Sequence, residues 1–482
     1  MFRILRMNKP EIIPKILIGL EIHITLNSQK KVFNWVDTYK GDSKPNSQIS
    51  AWELGYLGTL PIINPEVIYL GLKLAAALGM KVSKEIIFDR KIYNYFDLPK
   101  GYQITQHTLP FAISGYLPVT SEDKTENVSI KVLQIEEDTA KSSYDAERTK
   151  LDFNRAGNPL IELVTEPVFQ KLEDVSRFIK QLQNLLRYLE VSEAKMEKGQ
   201  LRVDLNFSLQ LGEKYSTPRY EIKNLNSLAN IDKAVKYEIK KHQSLSSQGK
   251  TPPLSQTLGF DESQQATISH REKTNYFYLP EVNIPPIKLK TSEIKKIRDN
   301  LPKLPWVYWK ELKQFDLKSA QEINKNPDLL KILNFLEKKK TFELKESKNW
   351  IIFYANYLSP FFGDNGKESF VKKWNSYYSL FQYWREKKLE NEEIKEIIIF
   401  LKETEKDFDS LIGKYEKKFS LDKQILEKEL KNLWNDELEK MLPINQQKVQ
   451  NYLLGQVKKK FPDYSVKEII LTIGSFLEKN KS

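Results

Sequence analysis

Four short segments set acidic side chains inside runs of strand-forming apolar residues, and they constrain this chain's fold more than any other feature. Glu21 and His23 lie in Ile18-Gly19-Leu20-Glu21-Ile22-His23-Ile24, and Glu136 and Glu137 follow Lys131-Val132-Leu133-Gln134-Ile135. Glu162 lies in Pro159-Leu160-Ile161-Glu162-Leu163-Val164, and Asp204 in Leu201-Arg202-Val203-Asp204-Leu205-Asn206. In an extended strand alternate side chains share a face. Glu21 and His23 therefore project together, while Leu20, Ile22 and Ile24 pack on the other side. Acids on a sheet cost free energy unless something positive meets them. Any one of these acids alone reads as the wet face of a half-exposed sheet. Converging on one surface, the set suits a hard divalent cation, foremost Mg2+ holding a nucleotide's phosphates.

At 482 residues the chain is long for one core, which predicts two or three domains. With no cysteine, disulfides and thiolate metal sites are excluded, and four histidines leave little for a His-rich metal centre. No apolar run approaches the ~20 residues that span a bilayer. Met1-Phe2-Arg3-Ile4-Leu5-Arg6 lacks the apolar core of a signal peptide, so a cytoplasmic protein without membrane attachment is expected. The net charge of +12 permits binding to a polyanion without requiring it. Two lysine clusters, Lys338–Lys340 and Lys458–Lys460, lie in the C-terminal part beside Phe342 and Phe461. Most such clusters are solvated helix faces.

The pattern changes near residue 290. Before it, short β-rich runs alternate with a few helices. One helix is marked by its ends: Asn64 as N-cap, Pro65 at the first position, apolar residues through Ala77 and Gly79 beyond. A second is predicted over Leu172–Leu189, with Phe178, Leu182, Leu185, Leu186 and Leu189 on one face. A third covers about Ile231 to His242, ahead of a polar loop at Ser244–Ser255. Pro280–Pro286 reads as an extended connector. After it the pattern is helical throughout, with a weak break at Asp407–Lys414. The expected division is therefore 1–290, 291–405 and 406–482.

Glycine-rich phosphate loops, dinucleotide fingerprints, nucleophile elbows and zincin spacings are all missing. A nucleotide site here must use metal-bridged carboxylates with scattered Lys and Arg. Candidates near the acids are Arg90, Lys91, Lys100, Arg155 and Lys223. Arg can fork onto phosphate oxygens, and Lys supplies a point charge. For each of them singly, a structural salt bridge is the competing reading.

These segments resemble, in order along the chain, the B subunit of the aspartyl/glutamyl-tRNA amidotransferase. The matching motifs are Ile18–His23, Leu57–Pro61, Phe88–Lys91, Leu98–Ile104, Ile135–Asp138, Asn154–Gly157 and Pro159–Pro167. They continue with Lys195–Gly199, Leu201–Asp204, Glu221–Ser227 and, near the end, Tyr452–Val457. The resemblance implies an α+β cradle domain with a curved, largely antiparallel sheet, akin to glutamine synthetase and guanidino kinases. All-α helical and tail domains would follow. It implies ATP-dependent phosphorylation of the side-chain carboxylate of Glu or Asp on a misacylated tRNA, then amidation by ammonia. The ammonia would come from a Ser-dependent amidase A subunit, and a small C subunit would clamp the pair. It further implies Glu21, His23 and Glu137 as Mg2+ ligands, with Glu136, Glu162, Asp204 and Glu221 as their partners. Lys100, Arg155 and Lys223 would meet the phosphates.

Two departures from the family pattern stand out. Some members carry a four-cysteine zinc knuckle; the corresponding positions here are Asn34, Val36, Ser50 and Glu53, so no zinc is expected. The family segment Asp-Tyr-Arg-Tyr-Phe-Pro-Glu-Pro-Asp stands here as Asn275-Tyr276-Phe277-Tyr278-Leu279-Pro280-Glu281-Val282-Asn283, without the Arg and two Asp; Arg271 is a candidate replacement. Two other classes stay open on sequence alone. One is an RNA-binding scaffold without catalysis. The other is an unrelated ATP-dependent carboxylate–amine ligase for a small molecule.

Overall fold

The computed structural model describes residues 14–480 except 42, 122–123, 145–147, 214, 270–275, 315, 324, 339–346, 363–371, 387–388, 405, 409, 412–422 and 462–465. The chain divides into two compact units, Met1–Asn334 and Phe335–Ser482.

The first unit is built on a ten-stranded sheet. Its spatial order is Ala266–Ser269, Thr257–Asp261, Tyr220–Leu225, Leu201–Leu211, Lys15–Thr25, Pro159–Thr165, Thr125–Glu137, Ala112–Thr120 and Lys81–Val82. Tyr215–Ser216 adds a short tenth strand beside Leu201–Leu211. Neighbours run antiparallel, except that Tyr220–Leu225 and Thr257–Asp261 are parallel. Lys15–Thr25 is central, paired on one side with Pro159–Thr165 and on the other with Leu201–Leu211.

The alternation read from sequence gives this sheet its two faces. Ile18, Leu20, Ile22 and Ile24 are wholly buried, as are Leu163, Leu205 and Ile135 from neighbouring strands. Helix Pro65–Ala77 comes close to this apolar face at Gly71. A Cβ there would stand 3.1 Å from Phe111 Cε1 and 3.6 Å from Ile135 Cδ1, so glycine permits the approach. Asn64 caps that helix by accepting from the Glu66 amide at 3.0 Å, with Pro65 following, as expected. Helix Leu172–Tyr188 buries Phe178, Leu182, Leu185 and Leu186, and Phe178 packs edge-on against Phe169.

The third helix is longer than its predicted span, covering Leu228–Ser247. Ser227 caps its start by accepting from the Asn230 amide at 3.1 Å. Its last turn enters the stretch read as loop because Ser247 donates to the Ser244 carbonyl at 2.8 Å, satisfying a hydroxyl within the helix. Pro280–Pro286 is non-helical, as expected.

A separate three-stranded sheet orders Phe277–Pro280, Asp89–Ile92 and Tyr102–Thr105. Arg90 fastens its outer strand by donating from Nε and Nη2 to the buried Glu281 at 2.7 and 2.9 Å. Gln103 Nε2 ties this small sheet to the large one through the Glu137 carbonyl at 2.7 Å.

In the second unit the described elements are helical. One aromatic core gathers Trp350, Phe353, Phe381 and Trp384. Another core, of Leu426, Leu430, Leu438, Val449, Leu453, Val457, Ile469, Ile473 and Leu477, lies wholly within the last 60 or so residues. The anticipated break at Asp407–Lys414 and the cluster at Lys338–Lys340 fall largely outside the described residues, as does Phe342. No described helix is long and apolar enough to cross a membrane.

Candidate active site

Strand register assembles the polar face. Glu21 lies opposite Asp204, and His23 lies opposite both Glu162 and Arg202. Glu162 in turn lies opposite Gln134, two positions before Glu136. Directly opposed residues of an antiparallel pair share a face. Five groups separated by up to 183 positions thus meet: Glu21, His23, Glu136, Glu162 and Asp204. Ligand atoms of Glu21, His23 and Asp204 lie within 4.8 Å of one another, and so do those of His23, Glu136 and Glu162.

Burial, with the negative charges of Glu136 and Glu21, pushes the Glu162 carboxyl well above the usual carboxylate range. Burial also works to raise Glu21, but the hydrogen bond with Glu162 and the charges of His23 and Lys223 outweigh it and hold Glu21 low. The two carboxyl groups therefore titrate as a pair, with the proton favoured on Glu162. Four carboxylates and one imidazole supply mainly hard oxygen donors, so the residues fit Mg2+.

Lysines line the margin. Lys223 Nζ stands 3.1 Å from Asp204 Oδ2 and 2.8 Å from Glu221 Oε1. Although burial opposes it, the charges of Asp204 and Glu221 keep its amine protonated far above neutral pH. Lys91, from the small sheet, is likewise raised by Glu136 and Glu162 against the pull of burial, and its amine sits 4.6 Å from the Tyr276 ring centre.

Glu137 is placed apart from this group. As the neighbour of Glu136 it points to the opposite face, where Lys100 donates to both its oxygens at 2.7 Å. The Ile104 amide adds a third bond at 3.0 Å. Burial raises the Glu137 carboxyl more than these donors lower it. Lys100 is consequently spent on Glu137. Glu136 instead accepts from Thr105 Oγ1, and its Oε2 is 3.8 Å from His23 Nε2.

Arg155 sits at the rim. Its Nε and Nη2 donate to the carbonyls of Thr139 and Ala140 at 2.9 and 2.8 Å, and Nε is 3.6 Å from Asp138. Gly157, two residues on, has φ +78° and would place a Cβ 2.6 Å from Glu53 Oε1, so only glycine closes this turn. Glu53 is itself held by Ser50 N and Oγ at 2.7 and 2.5 Å and by the Asn34 side-chain amide. Hydrogen bonds about one buried glutamate thus join Asn34, Ser50 and Glu53.

Lys91 is among the cationic candidates, whereas Arg202 and Asp138 have no role assigned from sequence. Arg202 carries a usable signal: it stands two positions before Asp204, and the same alternation puts both on one face. In the altered segment, Phe277 and Leu279 face outward at 71% and 54% exposure. Tyr278 stacks on His107 at 3.8 Å, and Tyr276 meets Lys91. Phe277 and Leu279 thus alternate with Tyr278, which stacks on His107. Asn275 and Arg271 lie outside the described residues.

The class so defined is an α+β protein bearing a cation-ready carboxylate cluster on one sheet face, joined to a helical C-terminal part. The profile of a family described as GatB/GatE catalytic domain matches residues 16–295. The B subunit of the aspartyl/glutamyl-tRNA(Asn/Gln) amidotransferase from Mycoplasmopsis agalactiae is 42% identical over 295 residues, covering 60% of this chain and 61% of that protein. The protein of the same name from Thermosipho melanesiensis is 33% identical over 456 residues, 92% of each chain. That from Thermus thermophilus is 40% identical over 294 residues, 60% of this chain and 61% of its own length. The chain belongs to the family of aspartyl/glutamyl-tRNA amidotransferase B subunits. Matches to the first of these relatives span about three-fifths of their length.

Proposed function

We propose that this chain carries out ATP-dependent transamidation of a misacylated tRNA, Glu-tRNA(Gln), Asp-tRNA(Asn) or both. The observation that carries this reading is the convergence of Glu21, His23, Glu136, Glu162 and Asp204 on one face, inside the region the family profile matches. A carboxylate is a poor acyl donor because its oxygen is a bad leaving group. One of its oxygens attacks the terminal phosphorus of ATP, and ADP leaves. Ammonia then adds to the acyl carbon, the C–O bond to phosphate breaks, and the amide remains on the tRNA.

This chain's own groups have definite parts in that scheme. Two triads that share His23, one with Glu21 and Asp204 and one with Glu136 and Glu162, would hold Mg2+, which would neutralise phosphate charge so that a second anion can approach. A bound cation would favour the ionised form of Glu162. Lys223 and Lys91 offset the remaining acidity of the face. Glu136 takes the place first given to Glu137, because strand alternation turns Glu137 toward Lys100. Glu137 and Lys100 then brace the wall behind the site.

The cradle shape, the division at residues 290 and 405, and a tRNA-binding tail from 406 onward belong to the same reading. So does a cytoplasmic heterotrimer with the amidase A subunit and a small C subunit. The sequence offers no cysteine nucleophile for glutamine hydrolysis, which supports an external ammonia source.

The test is ATP hydrolysis by the assembled complex with misacylated and with deacylated tRNA. Hydrolysis should require the misacylated form and vanish in Glu21→Ala. Equal hydrolysis with both tRNAs, or full amidation by Glu21→Ala, would contradict the reading.

A further inference from the structure

A polyanion approaching an acidic face needs cationic donors that are not already used. Among the described residues, the lysines here are committed: Lys223 between Asp204 and Glu221, Lys100 on Glu137, and Lys91 against Tyr276 and the charges of Glu136 and Glu162. Arg90 is forked onto Glu281.

Two guanidinium groups differ. Arg155 and Arg202 share one carboxylate, Asp138, whose Oδ1 is 3.0 Å from Arg202 Nη2 and whose Oδ2 is 3.6 Å from Arg155 Nε. Two guanidinium groups thus face one carboxylate. Both side chains remain partly open, at 31% and 32% exposure. Arg202 lies directly across from His23 in the central pairing, so it adjoins the acid cluster. Its Nε is buried without a hydrogen-bond partner, which in a native interior calls for an explanation.

We propose that Arg202, oriented by Asp138 and flanked by Arg155, is a binding residue for a phosphoryl oxyanion at this site. The inference rests on the reading of the acid face as a phosphoryl-transfer site, and it adds the residue that receives the anion beside the metal-ready acids. A guanidinium offers charge-assisted N–H donors to phosphoryl oxygens; Nη2 is engaged by Asp138 and Nε is buried, so Nη1 is the donor an oxyanion would meet. Asp138 fixes the plane of the guanidinium, so little ordering is needed when the anion arrives. The oxyanion could belong to the nucleotide or to the tRNA backbone, since both present the same chemistry.

The experiment uses the full chain, as wild type, Arg202→Gln and Arg202→Lys. Four probes are titrated: Mg·ADP, Mg·ADP with beryllium fluoride, inorganic tripolyphosphate, and deacylated tRNA at two salt concentrations. Loss of a charge-assisted hydrogen bond predicts a roughly tenfold or greater fall in affinity for Arg202→Gln. Arg202→Lys should recover only part of it, because an ammonium lacks the planar set of donors that holds Asp138 on one edge and presents a further N–H on the other. A fall for the beryllium fluoride complex and tripolyphosphate assigns the oxyanion to the nucleotide. A fall confined to tRNA, with a shallower salt dependence, assigns it to the RNA backbone. Should Arg202→Gln fail to fold, Arg202→Lys decides alone. Unchanged affinity for all four probes in the folded variants overturns the subsite. Tripolyphosphate binding through Arg202 without tRNA-dependent ATP hydrolysis would leave the subsite standing and remove the functional reading. Normal hydrolysis with indifferent Arg202 variants would do the reverse.

Discussion

Lys31 lends itself to a quantitative test of how the loop carrying Arg155 is held. The side chain is wholly buried, and its Nζ donates to the carbonyls of Gln48 and Ala156 at 2.7 Å each. Glu53 Oε1 stands 3.8 Å away. Burial outweighs Glu53 and Glu137 and lowers the amine from the ordinary 10.5 to about 8. Below pH 8 folded and unfolded chains both hold the proton, and its burial costs about 3 kcal/mol. Between pH 8 and 10.5 the folded chain releases a proton that the unfolded chain keeps, so this group makes stability rise with pH. Both carbonyls still receive bonds, because a neutral amine keeps two N–H donors. Lys31→Met retains the stem and removes the titration. Urea unfolding of both proteins at pH 7.5 and pH 9.5 isolates the group, since all other titrations are common to the pair. The wild type should gain about 2 kcal/mol relative to the variant over that interval. Parallel pH profiles would refute the reasoning.

Glu162→Gln keeps a neutral donor for Glu21, so without divalent cation the variant should melt no lower than wild type at pH 8. Its melting temperature should respond less to Mg2+, and an undiminished Mg2+ response would count against the proposed ligand set. Arg90→Met strands the buried Glu281 carboxylate and should lower the unfolding free energy by roughly 2–4 kcal/mol, allowing for the partial exposure of the guanidinium. A loss under about 1 kcal/mol would show that the fork contributes little. Ending the chain at residue 405 should preserve Mg2+ binding while lowering tRNA affinity and its salt dependence, and equal affinity would exclude the tail as an RNA contact.

Local pattern is legible where one element decides the outcome. The period of two in Ile18–Ile24 tells which side chains enter the core, and Asn64-Pro65 marks a helix start. Glu136 and Glu137 cannot be separated in this way. Both are acidic and adjacent, and which of them faces His23 depends on pairing with Pro159–Thr165, a segment encoded two dozen positions away. The commitment of Lys100 is equally non-local, set by Tyr102–Thr105 packing on the end of Thr125–Glu137. The small sheet joins Asp89–Ile92 to Phe277–Pro280 across about 190 positions, so nothing near Tyr278 announces that it stands beside Lys91. Arg202 lies within reach of the alternation rule, since it shares a face with Asp204; its tie to Asp138, however, depends on strands far apart in sequence.

The most direct measurement is a crystal structure of the full chain grown with Mn2+ and a non-hydrolysable ATP analogue, with anomalous scattering locating the metal. The account predicts a peak within about 2.5 Å of carboxylate oxygens from one of the two triads, Glu21 with Asp204 or Glu136 with Glu162, with His23 beside it and the nucleotide's terminal phosphate next to it. A peak held by Glu137 in place of Lys100, or a nucleotide bound away from this face, would contradict it.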